Sequence, residues 1–143
     1  MVFDIKKKLF SCAEPYVVTQ PAGGAPFIIQ AVDSGMFIAN EKGEPIAQLV
    51  FEKTGAVIAI AEDDDAVSIA GDGKITTAKG NDKYLVYGNP STYTYDVFIG
   101  RTLVAKVAPK YFDRSKFSIN HMGGNVLRIV LIALALEAMC LNK

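Results

Sequence analysis

The sequence predicts a mainly β protein: about twelve antiparallel strands forming a barrel that encloses a hydrophobic C-terminal α-helix, in a single domain over residues 1–143. Three observations predict it. Up to the last eighteen residues, short apolar and β-branched runs alternate with turn clusters. The closing stretch "NVLRIVLIALALEAMCLNK" (125–143) is apolar on every side and needs to be surrounded. No linker or low-complexity segment separates the two.

The strands follow in order: Val2–Phe10, Tyr16–Thr19, Phe27–Val32, Met36–Asn40, Ile46–Glu52, Ala56–Ala61, Ala66–Ala70, Lys74–Ala78, Tyr84–Gly88, Thr92–Ile99, Thr102–Ala108 and Lys116–Ile119. Their punctuation is "PAGG", "DSG", "EKGEP", "EDDD", "GDG", "GND", "GNPS" and "IGR", each rich in residues that favour turns. In "TYTYDVFI", Tyr93, Tyr95, Val97 and Ile99 share one face and Thr92, Thr94 and Asp96 the other, as a half-buried strand requires. Regular short strands with frequent turns indicate an antiparallel meander curled into a sandwich or barrel. A faint echo links "KLFSCAEPYVV" (8–18) with "KYFDRSKFSI" (110–119), as repeated hairpin units would.

The helix is expected over Val126–Leu141, a Leu- and Ala-rich run without Pro or Gly, with Asn125 as N-cap and Asn142 near its end. Sixteen residues make a rod of about 24 Å. Only Arg128 and Glu137 carry charge, nine positions apart and on nearly opposite sides. A bilayer core needs about 20 apolar residues, so the rod is too short and too interrupted to span one. A barrel of this size would otherwise be hollow. The rod is therefore expected to plug it, with Glu137 near a helix end, reaching water or paired with a barrel Lys or Arg.

Composition narrows the function. Fifteen basic and fifteen acidic residues cancel. The isoelectric point near 6.6 lacks the basic excess of a nucleic-acid binder. Two cysteines, Cys12 and Cys140, have no metal-ligand spacing and read as buried free thiols. The N-terminus has no signal-peptide h-region, which makes the cytoplasm the default compartment, with peripheral membrane attachment left open.

Four stretches together resemble a known family: "IKKKLFSCAEPYVV", "MFIANEKGEPIAQLV", "YTYDVFIGRTLVAKVAPKYF" and "LRIVLIALALEAM". They resemble the tubby C-terminal-like superfamily, specifically its LURP-one-related members, which also occur in bacteria. The resemblance runs nearly the whole length and is most specific in the last third. It implies a twelve-stranded barrel around a C-terminal hydrophobic helix, and it brings phosphoinositide binding into view, because tubby domains bind such lipids through a basic pocket.

The candidate site comes from the charge pattern instead. Residues 101–116 hold five basic side chains against Asp113, and Lys6, Lys7 and Lys8 stand against Asp4. If the echoing segments lie side by side, Lys6, Lys8, Lys110, Arg114 and Lys116 form one basic patch suited to anionic phospholipid headgroups. The other reading of the same lysines is solvated strand faces that protect edges. Residues 41–65 carry seven acids against two lysines. Within them "EDDD" (62–65) lacks the ligand alternation of a calcium loop and reads as an acidic turn. His121 has no Cys or acid pattern around it. No catalytic set, metal site or cofactor motif is expected. The function expected is a non-enzymatic binding module for anionic lipid or a protein partner. The alternatives are a structural adaptor, or a lipid-handling (scramblase-like) or enzymatic protein with a pocket at the barrel mouth.

Overall fold

Phe3 and Ile5 are buried while Val2 and Lys6 on either side of them are exposed, and the same period-two burial repeats around the molecule. The structure is a computed structural model. It describes residues 1–8, 15–21, 23, 26–110 and 113–141, without the side chains of 113–115, 140 and 141. Cys12, Asn142, the side chains of Cys140 and Arg114, and Ala22 and Gly24 of the "PAGG" turn lie outside the described residues.

The first eight strands are β1 (Val2–Lys7), β2 (Tyr16–Thr19), β3 (Phe27–Val32), β4 (Gly35–Asn40), β5 (Pro45–Glu52), β6 (Gly55–Ile60), β7 (Asp63–Ala70) and β8 (Ile75–Thr77). Then come β9 (Tyr84–Asn89), β10 (Thr94–Ile99), β11 (Thr102–Lys110) and β12 (Asp113–His121), followed by helix α1 (Val126–Leu141). The twelve form one antiparallel sheet in the order β8-β7-β6-β5-β4-β3-β2-β1-β12-β11-β10-β9. Every neighbour in space is a neighbour in sequence except β1 and β12, which pair with Phe3 opposite Ile119 and Ile5 opposite Phe117. That pairing joins two meanders into a nearly closed barrel. The edges β8 and β9 face each other as a seam, joined by the short connection 78–83.

Curling is helped by register shifts in β10–β11, β11–β12, β4–β5 and β6–β7. Bulges of this kind bend a strand and raise its twist. Pro109 is tolerated in β11 because it stands at one of them, beyond Val107, the last residue of β11 reached by β10.

Helix α1 fills the barrel. Ile129 through Leu136 are all buried, together with Ala138, against inward residues such as Ile38, Leu49, Ile58, Ile69 and Val97. Burying each such Leu or Ile contributes about 1.5–3 kcal/mol. The chain enters from β12 through Gly124, whose φ of +73° a side chain would oppose, and where a Cβ would meet Ile99 Cδ1 at 2.9 Å. Asn125 caps the helix as expected, its Oδ1 accepting from the Arg128 N–H at 3.1 Å.

Two expectations need correction. "EDDD" is not a turn of solvated acids: only Glu62 belongs to the turn, and Asp63, Asp64 and Asp65 open β7. Tyr93 does not share the strand alternation of Tyr95 and Val97. It follows a 3-10 turn, Pro90–Thr92, in the left-handed conformation (φ 56°, ψ 33°), and β10 starts at Thr94. The cause is local: Asn89 Oδ1 accepts from the Ser91 N–H at 3.0 Å, and Pro90 starts the turn.

Candidate functional site

Arg128 stands at the unfavourable end of the helix dipole, a cation in the first turn, and Glu137 lies one turn short of the C-terminus. Barrel side chains account for each. Arg128, 4% exposed, reaches Asp63 Oδ2 at 2.5 Å, Asp82 Oδ2 at 3.0 Å and the Asp65 carbonyl at 2.8 Å. Asp65, 5% exposed, uses Oδ1 to accept from the Lys79 N–H at 2.6 Å, and its Oδ2 faces the guanidinium at 3.9 Å. The Asp65 N–H, and after it Arg128, hold the Asp63 carboxyl below its usual value against the opposing effect of burial. Burial pulls the Arg128 guanidinium down, but the Tyr84 hydroxyl and Asp63 more than offset it and hold it above its usual value. Burial pushes the Tyr84 hydroxyl up, with Arg128 opposing. The Tyr84 hydroxyl makes no well-aligned hydrogen bond of its own.

Glu137 overturns the expectation of water or a basic partner. It is 4% exposed and held by two tyrosines: the Tyr16 hydroxyl donates to Oε2, and the Tyr93 hydroxyl to Oε1 at 2.8 Å. Burial first, and the Glu137 carboxylate after it, push the Tyr16 hydroxyl well above its usual value. Tyr93 also stacks on Phe117, ring centroids 4.8 Å apart and planes 8° from parallel. The left-handed turn at Tyr93 therefore positions a ring and a hydroxyl together. These two clusters pin the rotation and depth of the rod. They show no free nucleophile.

The expected basic patch is partly assembled. The echoing segments do lie side by side: β1 pairs with β12, which pairs with β11. Lys6 and Lys116 stand directly opposite each other in register. Lys110 Nζ lies 3.1 Å from Asp4 Oδ1, on the same outer face. Lys8 follows the end of β1, its N–H donating to the Pro15 carbonyl at 2.9 Å. Next to this face, Lys106 approaches Asp96 at 3.9 Å. His121 turns to the chain itself, Nε2 hydrogen bonding with the Gly124 carbonyl at 3.0 Å. Among the described residues, no three His, Cys, Asp or Glu side chains are grouped to hold a metal ion, and no helix is long and apolar enough to cross a membrane.

No family model matches the chain, and no curated protein does. Among solved structures, an X-ray structure of a protein from Arabidopsis thaliana is similar, at 15% identity and a TM-score of 0.66. The match covers 99% of this chain and 92% of that one. At that identity it shows a shared fold: the nearly closed twelve-stranded barrel with its C-terminal helix.

Proposed function

We propose that the protein is a non-enzymatic binding module whose contact face is the outer surface of β1, β12 and β11, and that this face takes anionic phospholipid headgroups. The observation that carries the reading is the cross-strand pair Lys6–Lys116. Two like charges directly opposite on one outer face offer an anion lying across them two contacts at once. Lys110 sits on the same face, its charge shared with Asp4. Each lysine at an anionic surface contributes about 1 kcal/mol. The interior supports the non-enzymatic part, since both helix charges are taken up by barrel partners. Kinship with the tubby-like, LURP-one-related proteins is part of the same proposal and rests on the sequence patterns of the last third.

Vesicle sedimentation tests it. Phosphatidylserine-containing vesicles should carry the protein down at low salt, and neutral phosphatidylcholine vesicles should not. Binding should vanish at about 0.5 M salt, where screening is strong, and in the double variant Lys6→Glu/Lys116→Glu. A protein that stays in the supernatant with anionic vesicles at low salt refutes the lipid reading.

A further inference from the structure

Eleven of the twelve gaps around the barrel are closed by a backbone ladder, and the gap between β8 and β9 has none among the described residues. The two edges come close there, and a groove lined by exposed Lys74, Thr76 and Lys83 follows the join. The shortest described strand, β8, has three residues, and its one ladder is with β7 over Ile75–Thr77. A short edge strand with a single neighbour belongs to the low-stability end of a fold and opens before the rest of the sheet.

Polar contacts hold the join instead. In the connection 78–83, the Ala78 N–H donates to the Ala66 carbonyl at 2.9 Å, the Lys79 N–H to buried Asp65 Oδ1 at 2.6 Å and the Gly80 N–H to the Thr77 carbonyl at 3.1 Å. The Thr77 hydroxyl meets the Asp82 backbone only at 3.4 Å, to its N–H and to its carbonyl. The helix supplies the strongest tie. Arg128 reaches Asp82 Oδ2 on the connection at 3.0 Å while it holds Asp63 Oδ2 and the Asp65 carbonyl on β7, at 2.5 and 2.8 Å. Tyr84 of β9, 2% exposed, interacts with the same guanidinium. One side chain of the plug therefore ties both flanks of the join together. On the outside Lys79 pairs with Asp64, but those side chains are 49% and 84% exposed, and such pairs contribute little.

We infer that residues 74–83, β8 with the connection after it, form a flap, and that Arg128 on the plug is the latch that holds it shut. The flap pivots at the turn before β8, where Gly73 has a φ of +88° and open space around it, and at the start of β9. When it opens, the barrel parts at one place while the other ladders and the helix stay formed. Ile75 and Tyr84, 4% and 2% exposed in the closed form, then meet solvent, so apolar surface appears without global unfolding. The coupling runs both ways: the first turn of the plug cannot shift without freeing the flap, and a closed flap fixes that turn. The flap is separate from the basic face of β1 and β12, and neither reading depends on the other.

Native-state hydrogen exchange of the whole protein, followed against urea, tests it. In the parent, the amides of Ala78, Lys79 and Gly80 should exchange together, at least about tenfold faster than those of Ile5 and Ile119 and with a shallower urea dependence, because little surface is uncovered. Asp82→Ala cuts the latch at a side chain 37% exposed. It should speed the three flap amides at least about tenfold, the loss of one bond to a charged group. Tyr16→Phe weakens a contact that an open flap leaves intact, so it should speed Ile5 and Ile119 and leave the flap amides within about twofold of the parent. Asp64→Ala breaks only the exposed pair and should change the flap amides less than about threefold. The parent measurement stands without any variant. The inference is overturned by flap amides that exchange only with Ile5 and Ile119, that follow those two in Tyr16→Phe, or that keep parental rates in Asp82→Ala. Equal effects of Asp64→Ala and Asp82→Ala also overturn it, because the plug would then not be the latch.

Discussion

Arg128→Met removes the one buried cation among the described residues and keeps most of the side-chain volume. Asp65 stays behind, 5% exposed, with Oδ2 facing the space where the guanidinium was. Asp63 and Asp82 are more open, with side chains 24% and 37% exposed, and water can compensate them. The cost is therefore concentrated on Asp65. Breaking a buried ion pair from one side destabilises by about 3–5 kcal/mol. At an unfolding entropy of about 2 cal/mol/K per residue, a chain of this length loses about 10–17 °C in melting temperature. Circular-dichroism melts at neutral pH measure it. Adding Asp65→Asn discharges the orphaned carboxyl and keeps an oxygen for the Lys79 N–H, so the double variant should recover at least half of the loss. The acid limb carries a second signature. The folded Asp63 carboxyl lies below its ordinary value of 3.8, chiefly through the Asp65 N–H and then Arg128. Its stabilisation is present above that value and is lost as pH falls through the folded one. In Arg128→Met this acid dependence should shrink. A single variant melting within about 3 °C of the parent would refute the reasoning, because it would place the cost below 1 kcal/mol.

Tyr16→Phe leaves Glu137 with one hydroxyl donor instead of two and should cost about 1.5–3 kcal/mol, read from denaturant midpoints; an unchanged midpoint would mean that the bond is not made. In the parent, Tyr16 holds its proton well above the ordinary value of 10.0, mainly through burial. Its stabilisation is complete below that value and fades as pH rises beyond it, so alkaline unfolding should start near pH 10 and be milder in Tyr16→Phe. Leu131→Asp places an unpaired carboxylate where the native side chain is 0% exposed and should abolish soluble, cooperative folding; a soluble variant with a sharp melt would contradict enclosure.

Strand positions were legible because they rest on local signals. Period-two alternation and turn clusters located all twelve strands to within a few residues, and the all-round apolarity of Val126–Leu141 required an enclosing sheet. Polar pairing inside was not legible. Arg128 meets Asp65 from 63 positions away, and Glu137 meets Tyr16 from 121 positions away. No local pattern encodes such distances. A usable signal was present all the same: two charges on an otherwise apolar, enclosed rod must be held by something across the barrel. What stayed hidden was which acid and which hydroxyl. "EDDD" looked like solvent-facing turn chemistry because its composition is that of a turn, and only the register of β7 with β6 turns Asp65 inward. Tyr93 fitted a strand by alternation, and the Asn-Pro cap ahead of it overrode that pattern. The sequence made a basic patch conditional on the echoing segments lying side by side; the register that sets Lys6 opposite Lys116 and the partnership of Lys110 with Asp4 carried no local signal.

Native-state hydrogen exchange, resolved by residue, asks most directly whether the protein's own sheet surrounds the rod. The amides of Ile129–Leu136 should exchange only through global unfolding, at the same free energy as those of Ile5 and Ile119 in the paired strands β1 and β12. Helix amides that open at a clearly lower free energy, while those strands stay protected, would show that the rod can leave a standing barrel.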